Sequence, residues 1–470
     1  MKVLQIISLN ILLIAATACA NKQTNKNADV TIIDTTVATS NTTDSFPAGK
    51  IISNIVCKND ASQSYALYIP SLKKPTTVIY FFDPHGNGAL PLKNYKALAD
   101  EYNYVLIGSN NSKNGNDWQT TENIWQNLFN DTQVRLALSN NIIYTCGFSG
   151  GAKVASYIAL HHKEIEGVIA NSAGLPDEAS SGNFNFSFTG IAGKGDMNMT
   201  DLVALNNDLD KTQTTHRIIF FNGKHEWAPS SVMNIAFAGI ELDAMRNKLL
   251  AKNDSFINAY IINSKKRIDS AEKKNDLIQA ENECILSINM LDGITDVNWF
   301  KQKDNAIKSE TAYNNQLQQQ QNLFANEQNK KAEYNSEFKK GDMNYWNKTI
   351  NDLTQKSKAS TPEGAMYERL LAYLSLAFYS ISNQLINNNQ NNDASYFVTL
   401  YKMADPTNSE AWYLSAILNA RNNNAKAVNE DLMKAVENNF TDKSRMMQQP
   451  EFQNLQSQIN FAAIESKMKQ

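Results

Sequence analysis

The sequence predicts an α/β fold in which helices cover a mostly parallel β-sheet, followed by an all-α helical region. Two observations support this prediction. Short apolar runs alternate with amphipathic segments in the first half of the chain, as strands alternate with helices in a parallel sheet. Of the 19 glycines, 16 lie before residue 240, so the second half has few turn signals and is expected to form long helices.

The elements of the predicted sheet follow one another in regular order. The run "TTVIYFFDP" is apolar throughout, which is typical of a strand buried on both faces. "SYALYIP" before it is expected to be an edge strand. Further strands are predicted at "YVLIGSN", "NIIYTCGFS", "EGVIANSAG", "FSFTGIAGKGD" and "HRIIFFNGKH". Helices are predicted at "LKNYKALADEY", "TENIWQNLFNDTQVRLALSN" and "GGAKVASYIALHH", which gives repeated strand–helix units.

The length of 470 residues is sufficient for two or three domains. We expect residues 49–253 to form the α/β domain and residues 254–470 to form a helical domain. Residues 405–440 resemble a tetratricopeptide helix pair, and an irregular helical bundle is the alternative. The residues near the packing positions of that repeat are Trp412, Ala416, Val428, Leu432 and Ala435.

The N-terminus has the features of an export signal. Lys2 precedes an apolar run that is too short to span a bilayer, so residues 1–18 are predicted to be a cleaved signal peptide. The small residues before Cys19 resemble a bacterial lipobox, which implies lipidation of the Cys19 thiol; an ordinary signal peptide is the alternative. Residues 19–48 are expected to be a flexible tether. The protein would then be exported and held at a bacterial membrane, periplasmic or cell-surface, with the outer membrane expected.

The remaining cysteines, Cys57, Cys146 and Cys284, are odd in number and lack the spacing of metal ligands. Buried free thiols are the favoured interpretation, and a disulfide between Cys57 and Cys146 is the alternative. No metal site and no cofactor are predicted.

The most informative motif is "GFSGG", residues 147–151, which fits the pattern G-x-S-x-G. A predicted buried strand precedes the motif and a predicted helix follows it, and in this context the motif forms a nucleophile elbow. Gly147 and Gly151 are expected to leave room for the strand and the helix around a strained turn. The N–H of Gly150 would face the negative charge that develops during attack. Ser149 is therefore the predicted nucleophile.

A serine hydroxyl needs a base, and the chain contains only five histidines. His225 ends the last predicted strand in "FFNGKHEWAP", where a loop can bring it to the serine, so His225 is the predicted base. The acid that orients it should end a strand between the serine and the histidine in the chain. Asp196 does so in "FTGIAGKGDMNMTD"; Asp201 is the alternative, which could instead cap the next helix.

The loop "DPHGNG", residues 83–88, follows the apolar strand and is expected to supply the second half of an oxyanion hole. The backbone N–H groups of Gly86 or Asn87 are the candidate donors. His85 is expected to shape this loop on the substrate side and is not the predicted base.

From Ser64 to Trp227 the chain resembles α/β-hydrolases of the polyhydroxybutyrate-depolymerase and feruloyl-esterase type. The matching pieces are "LYIP", "DPHGNG", "GSNNSKNG", "GFSGGAK", "GKGDMN" and "GKHEW". The resemblance implies an α/β-hydrolase fold with Ser149 as nucleophile, Asp196 as acid and His225 as base. It also suggests that Trp227 lines the site beside the histidine.

Three functions are compatible with these features. The leading prediction is a serine hydrolase that cleaves a small-molecule or polymeric carboxylic ester through an acyl-enzyme. A serine peptidase could use the same residues, although no propeller-like domain precedes the hydrolase half. The third is a catalytically inert lipoprotein whose helical region binds a protein partner. A nucleic-acid binder is excluded because a formal net charge of −3 provides no basic field for phosphates.

Overall fold

The computed structural model describes residues 44–72, 74–138, 140–179 and 182–468. The predicted signal peptide, the predicted lipidation site Cys19 and most of the predicted tether lie outside these ranges. None of the helices in the described ranges combines the length and the apolar character that crossing a bilayer requires.

The first half of the chain forms a single sheet. Its strands are β1 (Ile51–Val56), β2 (Ser64–Tyr68), β3 (Thr77–Phe82), β4 (Tyr104–Ser109), β5 (Ile142–Phe148), β6 (Ile165–Asn171), β7 (Ser187–Gly193) and β8 (His216–Phe221). Their spatial order is β1-β2-β4-β3-β5-β6-β7-β8. β2 pairs antiparallel with β1 and β4, and all other neighbours are parallel. With the helices given below, this is the α/β-hydrolase fold, so the predicted fold class is confirmed.

The edge of the sheet differs from the prediction. "SYALY" forms β2, the second strand of the sheet, and β1 takes the edge. The sequence does not identify β1 because Ser53 and Asn54 are exposed and only Ile55 of this strand is buried. The register of β1 against β2 shifts at the same point. A short, mostly exposed strand with an irregularity lacks the alternation by which strands are predicted.

Helices follow most of the strands and make up the second half of the chain. They are α1 (Ala89–Tyr102), α2 (Trp118–Leu136), α3 (Gly150–His161), α4 (Met199–Leu209), α5 (Ser230–Arg246), α6 (Asp254–Lys273), α7 (Leu277–Leu291), α8 (Asn298–Lys308), α9 (Thr311–Glu337), α10 (Met343–Lys356), α11 (Pro362–Asn387), α12 (Asn391–Ala404), α13 (Ser409–Arg421), α14 (Ala425–Glu437), α15 (Lys443–Gln448), α16 (Pro450–Gln453) and α17 (Phe461–Glu465).

The central strand β3 is buried on both faces of the sheet. Successive side chains of a strand point to opposite faces. Ile79 and Phe81 lie in one hydrophobic core with residues of α1, α5 and α6. Val78, Tyr80 and Phe82 lie in another with residues of α2 and α3. Helices therefore cover both faces, which explains why this strand is an unbroken apolar run.

The α/β unit extends beyond the predicted boundary at residue 253. One compact unit comprises residues 44–193 and Asn198–Leu317, and the other comprises Lys194–Met197 and the residues from Gln318 onward. The physical reason is that α6 and α7 bury their apolar faces in the core that contains one face of the sheet. The structure therefore moves the boundary from residue 253 to about residue 317.

The helical unit has its own hydrophobic core, in which Trp346, Leu370 and Phe378 are fully buried. A buried ion pair lies within this unit: Arg369 Nη2 is 2.6 Å from Glu327 Oε2. A buried ion pair is tolerated when the two charged groups bind each other and their remaining polar atoms form further hydrogen bonds.

The helix pair predicted at residues 405–440 is present as α13 and α14. Ala416, Val428, Leu432 and Ala435 are buried between helices, whereas Trp412 is partly exposed and donates its indole N–H to the carbonyl of Pro406 at 2.9 Å. That this pair is a tetratricopeptide repeat stays a prediction.

Cys57, Cys146 and Cys284 are buried free thiols, as the favoured interpretation predicted. Burial raises the pKa of the Cys57 thiol to about 11 and that of Cys284 to about 12, so both are protonated near neutral pH.

Candidate active site

Ser149 lies on a sharp turn between β5 and α3. Its backbone has φ 54° and ψ −121°, a conformation that residues other than glycine rarely adopt. The N–H of Ser149 donates to the carbonyl of Asn171 at the end of β6 with an N···O distance of 2.8 Å. This bond anchors the turn to the neighbouring strand. Such a turn places the serine hydroxyl at the carboxyl end of a parallel sheet.

The two flanking glycines are required by the tightness of this turn. A Cβ at Gly147 would overlap the carbonyl group of Gly151. A Cβ at Gly151 would overlap the carbonyl group of Phe82, the last residue of β3. Any side chain at either position would force α3 away from the sheet and displace Ser149.

His225 lies in the loop after β8 and reaches the serine. Its Nε2 is 3.0 Å from the Oγ of Ser149. The imidazole is partly buried, and its centroid is 4.9 Å from that of the Phe148 ring. Phe148 also contacts Trp227, with ring centroids 5.5 Å apart. Aromatic packing therefore supports the imidazole in a position from which it can accept the hydroxyl proton.

The other histidines have different surroundings. His161 is bonded through Nδ1 to the carbonyl of Tyr157 at the end of α3. His162 pairs with Glu122, and His216 at the start of β8 lies 3.0 Å from Asp210. His85, in the loop after β3, is exposed.

The predicted acid Asp196 follows β7 by three residues and is fully buried. Gly193 at the end of β7 pairs in parallel with Phe221 at the end of β8. The chain segments that carry Asp196 and His225 therefore leave neighbouring strands at the same edge of the sheet. The alternative, Asp201, lies in the first turn of α4. The assignment of Asp196 as the acid stays a prediction.

The predicted oxyanion donors are arranged around Asp83. The N–H of Gly86 donates to the carbonyl of Asp83 at 3.1 Å. The N–H groups of His85 and Asn87 donate to Oδ1 of the same residue at 3.0 and 3.4 Å. Gly150 begins α3 directly after the nucleophile, so its N–H belongs to the positive end of that helix.

Two residues beside the site were not identified from the sequence. Asp83, directly after β3, has only 2% of its surface exposed, and its carboxylate accepts the N–H groups of His85 and Asn87. Asn114 donates its N–H to the carbonyl of Pro84 at 2.8 Å, and its side-chain amide occupies the space that a Cβ on Gly150 would take. Asn114 belongs to the polar loop after β4, which "NNSKNG" marks as a turn without indicating its contacts.

No protein-family model and no curated protein matches the chain. Several solved structures are similar to part of it. The fluorophosphonate-binding serine hydrolase FphF of Staphylococcus aureus is 13% identical and has a TM-score of 0.33, covering 41% of this chain and 96% of that one. A hyperthermophilic esterase from the archaeon Pyrobaculum calidifontis is 11% identical with a TM-score of 0.33, covering 42% and 84%. Est1E from Butyrivibrio proteoclasticus is 9% identical with a TM-score of 0.32, covering 41% and 99%.

Proposed function

We propose that this protein is a serine hydrolase that cleaves carboxylic esters through an acyl-enzyme. The observation that carries the proposal is the 3.0 Å distance between Ser149 Oγ and His225 Nε2, with the serine on a strained turn between a buried strand and a helix. A nucleophile within hydrogen-bond reach of a base is the geometric signature of covalent catalysis by serine.

In the proposed reaction, Ser149 Oγ attacks the acyl carbonyl while His225 Nε2 accepts its proton. The imidazolium then gives this proton to the oxygen of the departing alcohol, and the C–O bond of the ester breaks. Water then attacks the acyl carbon while His225 accepts its proton. The bond between the acyl carbon and Ser149 Oγ breaks as His225 returns the proton to Oγ, which releases the acid and restores Ser149. Asp196 is proposed to hold the tautomer of His225 that keeps Nε2 free to accept a proton.

The negative oxygen of the tetrahedral intermediate is proposed to bind the N–H groups of Gly150 and Asn87. Gly150 contributes the N-terminal end of α3. Of the two candidate donors in the loop after β3, Asn87 has the longer bond to Asp83, 3.4 Å against 3.1 Å for Gly86. A long bond is the more easily exchanged for a bond to the oxyanion, and such bonds often tighten only when substrate is bound.

The proposed substrate is a small-molecule or a polymeric ester. A serine peptidase is the second candidate, since the same groups cleave amides. We further propose that the mature chain is a membrane-anchored lipoprotein through Cys19, and that the helical unit binds a protein or polymer partner.

The proposed function is tested by the turnover of p-nitrophenyl acetate and of a p-nitroanilide by the full chain and by Ser149→Ala. We expect Ser149→Ala to lose kcat by a factor on the order of 10⁶ while its melting temperature stays unchanged. Ser156→Ala is the matched control, because Ser156 is a buried serine on the same helix that donates to the carbonyl of Gly174. Turnover retained by Ser149→Ala would refute the nucleophile, and faster anilide than ester turnover would favour the peptidase.

A further inference from the structure

A buried carboxylate connects the loop after β3, which carries the candidate oxyanion donors, with the loop after β8, which carries the base. We propose that Asp83 is a positioning residue that holds these two loops in a fixed relation through the indole of Trp227. The proposal rests on the proposed esterase function, because it assigns a role in the same reaction. We call the hydrogen-bonded pair Asp83 and Trp227 the loop brace.

The two carboxylate oxygens of Asp83 divide their bonds between the loops. Oδ1 accepts the backbone N–H groups of His85 at 3.0 Å and Asn87 at 3.4 Å. Oδ2 accepts the indole N–H of Trp227 at 3.0 Å. Asp83 is 2% exposed, so these donors replace the water that an ionised carboxylate would otherwise require.

The bonds to His85 and Asn87 are local and are what a turn beginning with aspartate forms by itself. The bond to Trp227 has no such explanation, because the two residues are 144 positions apart in the sequence. A turn needs no indole donor. This long-range bond instead joins the turn after β3 to the loop after β8, which carries both Trp227 and His225.

Trp227 is placed so that fixing its indole also fixes the surroundings of His225. It follows His225 by two residues, and its ring lies 5.5 Å from that of Phe148, measured between centroids. Phe148 in turn lies 4.9 Å from the imidazole of His225 and directly precedes Ser149. The indole nitrogen is committed to Asp83, so the contribution of Trp227 to the reaction is to hold this wall of the site.

The consequence is that one buried carboxylate, bonded to the N–H of His85 and to the indole of Trp227, sets the position of the loop that carries the Asn87 donor relative to the base at His225. During attack the acyl oxygen must reach this donor while Ser149 Oγ, which bonds to the acyl carbon, stays within reach of His225. A shift of about 1 Å in a catalytic group can lower the rate by roughly 100-fold. Loss of the loop brace should therefore lower kcat much more than it changes KM.

Two substitutions break the loop brace from opposite sides. In Asp83→Asn an amide NH₂ replaces one acceptor oxygen, so either Trp227 or the backbone N–H groups face a donor. Trp227→Phe removes the indole donor, keeps an aromatic ring at this position and leaves the turn at Asp83 unchanged. Asp131→Asn is the matched control, because Asp131 is a buried carboxylate of α2 that accepts the N–H of Lys58 and the hydroxyl of Tyr65.

We expect Asp83→Asn and Trp227→Phe each to lower kcat for p-nitrophenyl acetate by roughly 10- to 100-fold with KM changed by less than about threefold. The kcat of the double variant should be no more than about twofold below that of the single variant with the lower kcat, since both substitutions break the same bond between Asp83 and Trp227. Asp131→Asn should lower the melting temperature and leave kcat unchanged. Unchanged kcat in Trp227→Phe, or multiplicative losses in the double variant, would overturn the proposal.

A second measurement separates this proposal from the proposed function. The indole N–H signals of the six tryptophans can be followed by ¹⁵N NMR, and the signal missing in Trp227→Phe identifies Trp227. Its exchange with solvent should be faster in Asp83→Asn than in the wild type. Equal ester hydrolysis by wild type and Ser149→Ala would refute the proposed function and would not affect the indole exchange rate. Equal indole exchange rates in wild type and Asp83→Asn would refute the loop brace, whatever the ester hydrolysis shows.

Discussion

At the scale of single residues, the backbone of Ser149 is strained and its neighbours maintain the strain. A non-glycine residue with φ 54° is disfavoured by about 1–3 kcal/mol. The turn persists because Gly151 packs against β3 without a Cβ and because the N–H of Ser149 is bonded to Asn171. The close contact between α3 and the sheet therefore maintains the strained backbone of Ser149, and it also places the Ser149 hydroxyl next to His225.

Gly151→Ala should destabilise the protein and abolish ester turnover. The added methyl group meets the backbone carbonyl of Phe82, which cannot move without displacing β3. Overpacking of this kind lowers the free energy of unfolding by about 1–3 kcal/mol. Urea unfolding measures the effect, with Gly182→Ala as control because a Cβ there meets only Phe184 at 4.0 Å. Equal stability of the two variants would contradict the role assigned to this glycine.

Partly buried Glu241 makes the free energy of unfolding depend on pH, with a defined sign. It accepts a bond from the hydroxyl of Tyr104, and burial raises its pKa above the ordinary 4.5. A raised pKa in the folded state contributes stability below pH 4.5 that is lost as the pH rises through the folded-state value. The stability of wild type minus that of Glu241→Gln should therefore fall between acidic and neutral pH. A difference that is independent of pH would contradict this sign.

The site residues that the sequence predicts are those with local signals. Ser149 stands in a five-residue motif, and His225 is a histidine at the end of the last predicted strand. Asp83 and Asn114 also lie in loops after strands, but their importance comes from contacts with Trp227 and Gly150, which are distant in the sequence. Long-range contacts of this kind leave no periodic pattern or spacing in a single sequence.

At the scale of elements, the sequence predicts most strands of the sheet and the helices that cover it. It places the end of the α/β unit too early. Gly and Pro density reports where turns occur, but it does not report what a helix packs against. The apolar stripe of α7 would look the same in a separate helical domain. In the structure this helix is part of the core beneath the sheet. A resemblance that ends at Trp227 could not supply this information either.

A buried ion pair fastens these helices to the last strand. Arg217 on β8 donates to Asp243 on α5, and both side chains are nearly inaccessible to solvent. Arg246 also pairs with Asp243, and its guanidinium donates to the carbonyls of Asn289 and Met290 at the end of α7. One carboxylate thus organises the contact of strand and two helices.

Asp243→Ala should lower the free energy of unfolding by about 3–5 kcal/mol, because Arg217 is left charged and buried without its partner. The exposed pair of Lys211 and Asp208 is the matched control, and Asp208→Ala should change stability by less than about 0.5 kcal/mol. Chemical unfolding of both variants decides the point. A similar, small effect in both would show that α5 is held to the sheet by apolar packing alone.

At the scale of the whole molecule, the predicted anchor sets where the enzyme would act. Cys19→Ser should release the protein from the membrane fraction, because lipidation at this thiol is the proposed attachment and residues 19–48 are rich in Asn and Thr. Metabolic labelling with a fatty acid, followed by fractionation of wild type and variant, measures this. A variant that is still labelled and still sedimenting with membranes would contradict the lipoprotein proposal.

The most direct test of the central claim is covalent labelling of the full chain with a fluorophosphonate probe, with the modified residue located by mass spectrometry. An activated serine reacts with such a probe, whereas an ordinary serine hydroxyl does not. We expect one adduct, on the peptide that contains Ser149, at a rate that falls sharply in His225→Gln because the base that lies 3.0 Å from Oγ is removed. Absence of an adduct at Ser149 in the folded wild-type protein, or an equal rate in His225→Gln, would contradict the account.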